Sequence, residues 1–335
     1  MLFLKNILLL LLVSPIFCID LILFKVFKKD CSNISYQFMI RFFIISGGIS
    51  NSLINKFIKI KKKINFDKSD FKIDNLKVNK NIINLNTNGY CIDENFLENK
   101  NTDKIINRLK DLKGIYSGAN VKNNVLSKFE LKKNLNSTRF TYSSKELLEI
   151  PSIQELLLSD EILKTAQDYL NSLPVIDIVT AWWTFPTKKS DKQAAQFWHF
   201  DMDRPKWVKV FIYLNEVNID SGPHCFISRS HLDNGINYNI RKQGYSRIED
   251  SEIEKYYSNN DIKYISGKKG TLLFEDTRGL HKGLRVNKNS RLILQFQYSS
   301  CLFGSKYKKM LFPKTQTSLF KKMMSANPQM FSAFE

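Results

Sequence analysis

A series of short β-type segments beginning at residue 176 constrains the fold more than any other feature of this chain. From that point apolar and polar residues alternate with a period near two, and β-branched and aromatic residues are frequent. Gly, Pro, Ser and Asp separate several of these segments, as at residues 203–205, 220–223 and 266–270. The predicted strands are residues 176–185, 195–202, 207–214, 224–228, 262–265, 271–275 and 291–299.

Seven or eight short strands accompanied by helices predict a mainly β protein with a jelly-roll core, a double-sheet barrel that can enclose a ligand. Helical periodicity before the strands predicts the flanking helices. We expect Thr102 to cap one helix, Ser152 and Glu155 to form a capping box for a second, and residues 162–170 to form the apolar face of a third.

A His and a carboxylate stand two residues apart in the predicted strand 195–202, at His199 and Asp201. Side chains two apart on a strand point to the same face, so the pair forms a clamp of two metal ligands. His281, at the end of a later strand-like segment, offers a third ligand. A single buried His is more often bonded to a backbone carbonyl than to a metal. Two His and one carboxylate together, however, predict the facial triad of non-haem Fe(II) oxygenases.

Arg291 opens the predicted strand 291–299, ten residues after His281. The alternation places Arg291, Ile293, Gln295 and Gln297 on one face of that strand, and Leu292, Leu294, Phe296 and Tyr298 on the other. A guanidinium that faces into a barrel needs an anion and can pair bidentately with a carboxylate. The alternative for Arg291 is a surface cation at the end of a strand.

Five motifs occur in a fixed order along the chain. They are Gln196-Phe-Trp-His-Phe-Asp201, Lys209-Val-Phe-Ile-Tyr-Leu-Asn-Glu-Val217, Ser221-Gly-Pro-His224, Ser228-Arg-Ser-His231 and Glu275-Asp-Thr-Arg-Gly-Leu-His281, followed by Arg291. This series resembles the phytanoyl-CoA dioxygenase-like family of Fe(II)/2-oxoglutarate-dependent oxygenases, over about residues 89–300. By family correspondence His199, Asp201 and His281 would be the catalytic iron ligands, and Arg291 would bind the distal carboxylate of 2-oxoglutarate.

The resemblance implies a dioxygenase with a double-stranded β-helix (jelly-roll, cupin-like) core. It would use Fe(II), 2-oxoglutarate and O2, with ascorbate as an additional candidate, to hydroxylate a small or lipid-linked metabolite. Phe200 and Phe211 depart from the polar residue and the Trp of the best-known members, so contacts from those two positions are not carried over. The alternatives are a catalytically inactive jelly-roll binding protein and a basic membrane-surface adaptor.

The formal charge of +19 is concentrated near the start of the chain. Residues 1–80 contain fourteen Lys and Arg against five Asp, which is a surplus of nine. No nucleic-acid recognition motif accompanies this charge, so no nucleic-acid partner is expected. The five cysteines are irregularly spaced, which predicts neither a disulfide framework nor a zinc site and fits the cytoplasm.

Residues 7–24 are apolar except for Asp20, and Lys25, Lys28 and Lys29 follow them. This stretch is near the length of a transmembrane helix, and the Lys residues would place its C-terminal side in the cytoplasm. We therefore divide the chain into residues 1–65 and residues 66–335. The first part is expected to be a hydrophobic and basic leader, either a membrane anchor or disordered, and the second a dioxygenase domain that folds without it. The sequence does not indicate an oligomeric state.

Overall fold

The computed structural model describes residues 2–66, 73–118, 126–130, 137–188, 190–192 and 194–335, without the side chains of residues 2–12. The described helices are α1 Leu2–Phe27, α2 Asn33–Ser46, α3 Ile49–Ile58, α4 Asn75–Asn88, α5 Asn99–Lys110, α6 Ser144–Leu148, α7 Pro151–Leu157, α8 Asp160–Leu170, α9 Tyr238–Arg241, α10 Asp250–Ile253 and α11 Ser318–Ala326. The described strands are β1 Tyr90–Asp93, β2 Lys113–Ser117, β3 Leu126–Lys128, β4 Arg139–Tyr142, β5 Val175–Thr184, β6 Trp207–Tyr213, β7 His224–Ile227, β8 Ile262–Ile265, β9 Leu272–Glu275, β10 His281–Gly283 and β11 Arg291–Ser299.

These strands form two antiparallel sheets. The larger sheet has eight strands in the order β1-β9-β6-β11-β5-β4-β2-β3, and the smaller has three in the order β10-β7-β8. A backbone bridge between His199 and His281 attaches the segment of the first two predicted ligands to the edge of the smaller sheet. The sheets face each other, since the ring centroids of Phe211 on β6 and His224 on β7 are 4.2 Å apart. The large antiparallel sheet with flanking helices confirms that part of the predicted architecture.

The two faces of the larger sheet differ in character because side chains alternate along each strand. On the outer face, Leu292, Leu294 and Phe296 of β11 are fully buried and belong to the same apolar core as residues of α7 and α8. The inner face faces the smaller sheet and carries polar and charged residues among its aromatic ones. They include Arg139, Lys209, Glu275 and Arg291. The helices therefore pack on the outer face of the sheet, while the polar and charged residues lie on its inner face.

The helices before residue 60 pack on the barrel. Phe17 of α1 lies against Phe303, with ring centroids 5.9 Å apart, and Phe43 of α2 lies 5.9 Å from Phe200. Asn55 of α3 accepts a hydrogen bond of 2.5 Å from the hydroxyl of Ser300. Residues 33–58 form α2 and α3 and bury side chains against the barrel.

In the described part of the chain, no helix is long and apolar enough to cross a membrane. Membrane attachment, a cytoplasmic location and the division after residue 65 stay predictions.

The helix ends predicted from capping residues are partly wrong. Helix α5 begins at Asn99, and Thr102 lies inside it, where its hydroxyl donates to the carbonyl oxygen of Glu98. Helix α7 begins at Pro151, so Ser152 does not cap it; proline is favoured at a first helical position. The third helix is confirmed, since α8 buries Ile162, Leu163, Ala166 and Leu170.

The contacts of α2 and α3 predict the outcome of a truncation. A chain that begins at residue 66 would uncover Phe200 and remove the partner of the Ser300 hydroxyl, whereas one that begins at residue 30 would keep α2 and α3. Each large apolar side chain uncovered costs roughly 1.5–3 kcal/mol, and a domain of this size loses about 2–4 °C in Tm per kcal/mol. We expect the shorter chain to melt well below the longer one in thermal unfolding followed by circular dichroism. Equal melting temperatures would contradict this role for α2 and α3.

Candidate active site

His199 and His281 are held side by side by their own backbones. The amide of His199 donates to the carbonyl oxygen of His281 at 3.0 Å, and the amide of His281 donates back at 2.9 Å. Both side chains are buried, and their ring centroids are 4.2 Å apart. The amide of Asp201 donates to the carbonyl oxygen of Thr277 at 2.8 Å, which fixes the third residue beside the other two. The structure therefore brings together all three predicted metal ligands.

Both imidazoles direct Nε2 toward Asp201 and Nδ1 toward a backbone carbonyl. Nδ1 of His199 is 2.9 Å from the carbonyl oxygen of Phe197, and Nδ1 of His281 is 2.9 Å from that of Gly279. A carbonyl oxygen can only accept, so each Nδ1 carries the proton and each Nε2 keeps its lone pair. Burial lowers the pKa of both histidines, that of His199 well below its usual value with a further contribution from His281. Both are therefore neutral near pH 7, as metal binding requires.

Asp201 completes the donor set. Its Oδ1 is 3.9 Å from Nε2 of His199 and its Oδ2 is 3.6 Å from Nε2 of His281. Burial opposes ionisation, but Lys209 and the two histidines hold the pKa of Asp201 well below its ordinary value. One ligand atom from each residue lies within 4.8 Å of the others. Bonds of about 2.0–2.2 Å would need these atoms to close in only slightly, so two neutral nitrogens and a carboxylate fit a divalent iron.

Lys209 pairs with this carboxylate, a contact that the sequence did not reveal. Its Nζ lies 2.5 Å from Oδ2 of Asp201. Burial opposes the charge on Lys209, but Asp201 and Asp203 hold its pKa above the ordinary value. The alternation of side chains along β6 predicts that Lys209 faces inward. Its partner Asp201 lies in a separate, irregular segment, so the contact between them was not predictable.

Arg291 faces into the barrel as its strand pattern predicts. It is 2% exposed, and its Nη1 donates to the carbonyl oxygen of Gly222. A Cβ built on Gly283, two residues after His281, would lie 2.9 Å from Nη2, so the glycine leaves room for the guanidinium. Within the described part of the chain, Nε of Arg291 has no hydrogen-bond partner. This buried cation is placed beside the strand that carries His281 and is open to an anion.

Arg139 is a second guanidinium of the inner face, and sequence reasoning missed it; the residue is partly exposed, but its Nε atom is buried. Arg139 of β4 and Arg291 of β11 are both register partners of Thr184 on β5, so they share the inner face. The Cζ of Arg139 lies 4.1 Å from the ring centroid of Trp182, and its Nε has no hydrogen-bond partner among the described residues. Burial, and then the charge of Arg291, lower the pKa of Arg139 to about 9. The alternation in residues 139–142 is the one local signal that could have placed it.

The remaining histidines and Phe200 lie near the triad but contact other residues. His224 lies on β7, in agreement with the predicted strand 224–228, with Nδ1 at 3.2 Å from Oε2 of Glu275. His231 does lie in a loop, where Nε2 is 3.3 Å from the carbonyl oxygen of Asn86. Phe200 points away from the triad and packs on Phe43.

The carbonyl of Gly279 orients the ring of His281, while Asp276 and Thr277, which precede it in the chain, make other contacts. The carboxylate of Asp276 accepts from Nε of Arg278 at 2.9 Å and from the hydroxyl of Tyr169 at 2.5 Å. Burial opposes ionisation of Asp276, but Arg278 lowers its pKa to about 2. Thr277 acts through its backbone, since its carbonyl accepts from Asp201.

Comparison with known proteins gives one family and a set of distant structures. A family model described as phytanoyl-CoA dioxygenase (PhyH) matches residues 85–291. HygX from Streptomyces hygroscopicus, solved with nickel and 2-oxoglutarate bound, is 12% identical over 72% of this chain and 93% of its own, with a TM-score of 0.50. The epimerase SnoN, solved with Fe3+, alpha ketoglutarate and nogalamycin RO, is 13% identical over 67% of this chain and 84% of its own, with a TM-score of 0.47. No curated protein matches the chain. The likeness to HygX supports the fold.

Asp276 gives a prediction for acid stability. Its folded pKa of about 2 lies below its ordinary value of 3.8, so its ionised form stabilises the fold above about pH 4 and that stabilisation is lost as the pH falls toward 2. We expect Asp276→Asn to lower the free energy of unfolding at pH 7 by about 2 kcal/mol or more. The variant should also lose less stability than the wild type between pH 4 and pH 2.

Urea unfolding at pH 7, 4 and 3 measures both effects. Asp103→Asn is the matched control, because Asp103 is exposed and pairs only with Lys269 at the surface. The interpretation is wrong if Asp276→Asn and the wild type lose stability equally on acidification.

Proposed function

The chain belongs to the phytanoyl-CoA dioxygenase family, and from that membership we propose that His199, Asp201 and His281 bind its catalytic iron while Arg291 binds the distal carboxylate of 2-oxoglutarate. The protein is a non-haem Fe(II)- and 2-oxoglutarate-dependent oxygenase. The observation that supports the residue assignment best is the cluster of two imidazoles and one carboxylate within 4.8 Å. The proposed core is the double-stranded β-helix, built from the two facing sheets.

The residues of the chain hold and orient the reacting groups. Bound together, Fe(II), 2-oxoglutarate and O2 supply the oxidising power to hydroxylate a C–H bond, with 2-oxoglutarate released as succinate and carbon dioxide. The carbonyl groups of Phe197 and Gly279 keep the imidazole protons on Nδ1, so Nε2 is always available as a ligand. His199, Asp201 and His281 would hold the iron from one side, which would leave room for the co-substrate and O2.

The two guanidiniums give 2-oxoglutarate an anion site away from the triad. Gly222 fixes one side of the Arg291 guanidinium through its carbonyl oxygen, and Nε stays available to the carboxylate. We propose that Arg139, stacked on Trp182, adds a second positive charge at the same end of the co-substrate. Neither guanidinium has a carboxylate partner among the described residues. A dianionic co-substrate would therefore relieve the repulsion between them.

Binding of metal and co-substrate tests the function directly. Anaerobic addition of Fe(II) and then 2-oxoglutarate should produce the weak visible charge-transfer band of a chelated keto acid. His199→Ala should abolish the band by removing a ligand, and Arg291→Ala should weaken 2-oxoglutarate binding by about 30-fold or more, because the carboxylate loses a buried charged partner. Arg139→Ala should weaken it less.

Arg241→Ala is the matched control for the arginine variants. The guanidinium of Arg241 is buried but donates to the backbone carbonyl oxygens of Ile44 and Ile236, outside the barrel. It should bind 2-oxoglutarate like the wild type. A protein that binds neither Fe(II) nor 2-oxoglutarate, with Arg291→Ala indistinguishable from the wild type, would favour the inactive binding protein or the surface adaptor.

For the substrate we propose a small or lipid-linked metabolite, on the basis of the family alone. Residues that choose a substrate in such folds lie on loops around the barrel, and fold does not determine them. Succinate formation across a metabolite library should rise above the substrate-free rate for the true substrate. His199→Ala should remove that rise. A rise that persists in His199→Ala would show that the iron ligands are wrongly assigned.

A further inference from the structure

Lys209 lies between two carboxylates of the barrel interior. Its Nζ is 2.5 Å from Oδ2 of Asp201, and its side chain is 12% exposed. In the pairing of β6 with β9, Lys209 stands directly opposite Glu275. Directly opposed residues of antiparallel strands share a face with Cβ atoms about 4.5–5.5 Å apart. A lysine side chain anchored there can therefore reach either carboxylate.

One carboxylate oxygen of Glu275 accepts no hydrogen bond from the described residues. The residue is fully buried, and its Oε2 is 3.2 Å from Nδ1 of His224. Its Oε1 has no hydrogen-bond partner in the part of the chain that the structure describes. An ammonium group has three donors, and one of those of Lys209 is used on Asp201. The inner face thus offers the ammonium a second carboxylate that is incompletely satisfied.

The ammonium and a metal ion would compete for Asp201. Lys209 contacts Oδ2, which is also the oxygen that faces Nε2 of His281 at 3.6 Å. A divalent cation held by the triad would be about 2.0–2.2 Å from the coordinating oxygen of this carboxylate. Two like charges would then be only a few ångströms apart in a buried site, where their repulsion is strong.

We propose that Lys209 is a positioning residue that neutralises Asp201 in the metal-free protein and moves to Glu275 when a divalent cation binds, so that Lys209 and Glu275 together set the metal affinity. This inference rests on the proposed iron site. Before metal binding, the ammonium of Lys209 faces Asp201. After metal binding, the metal faces Asp201 and the ammonium faces Glu275. Each cation therefore has a carboxylate partner in both states. Displacing the ammonium weakens metal binding, and the acceptor on Glu275 offsets part of that cost.

The experiment measures binding of Co(II), an oxygen-stable divalent probe, to the full chain by titration calorimetry, with no substrate present. Lys209→Met keeps the length of the side chain and removes the competitor, so it should bind Co(II) about tenfold tighter or more. Glu275→Gln removes the charge that receives the ammonium, so it should bind Co(II) about tenfold weaker. In the double variant the effect of Glu275→Gln should disappear, because no ammonium is left to be received.

Two controls separate this exchange from general damage to the fold. Lys206, just before β6, is another largely buried lysine, and it donates to the carbonyl oxygen of Tyr169. Lys206→Met should therefore bind Co(II) like the wild type. Lys209→Arg keeps the positive charge and should not gain affinity. If Lys209→Met does not fold, Glu275→Gln tests the same exchange from the other side, and unchanged affinity in it would overturn the inference.

The outcomes distinguish this inference from the proposed iron site. If wild type and His199→Ala both fail to bind Co(II), the iron site itself is wrong. If the wild type binds through His199 but Lys209→Met binds equally or more weakly, the iron site stands and the exchange is refuted. An effect of Glu275→Gln that is the same with and without Lys209 would also refute it.

Discussion

The two hydrogen bonds that the backbones of His199 and His281 exchange are the constraint on which the site depends. The prediction of a strand at residues 195–202 is wrong, because the segment around His199 is irregular. It is attached by isolated bridges at Trp198 and His199 and by one hydrogen bond from the amide of Asp201 to the carbonyl of Thr277. These few contacts set the distance between the imidazoles and the direction of the carboxylate. Residues about eighty apart in the chain are therefore brought together by backbone hydrogen bonds.

The cost of burying charge is the second organising feature. Helices cover the outer face of the larger sheet with a continuous apolar core, whereas the inner face carries Arg139, Lys209, Glu275 and Arg291. Buried charges destabilise a fold unless they are paired. Apolar packing on one side of each strand thus offsets the polar interior that a dianionic co-substrate and a divalent metal require. Charged residues on an inner face depart from the usual preference for an apolar interior, and such departures are expected at a functional site.

The sequence predicted what depends on local pattern. Residues 262–265 and 291–299 match β8 and β11, and the triad followed from a two-residue spacing together with a family resemblance. Arg139 was missed because its position depends on the pairing of β4 with β5, which no local pattern encodes. The partners of Lys209 and Glu275 were missed for the same reason. The residues of α2 and α3 were assigned to a leader because the local sequence does not show which surface their apolar side chains cover.

Phe200 packs the segment between His199 and Asp201 against the start of the chain. It is the single residue between these two proposed ligands, and its ring rests on Phe43 of α2, which precedes the family-matched residues 85–291. The packing that supports the segment therefore extends beyond the family-matched region, and residues 85–291 alone do not contain all the side chains that surround the candidate site.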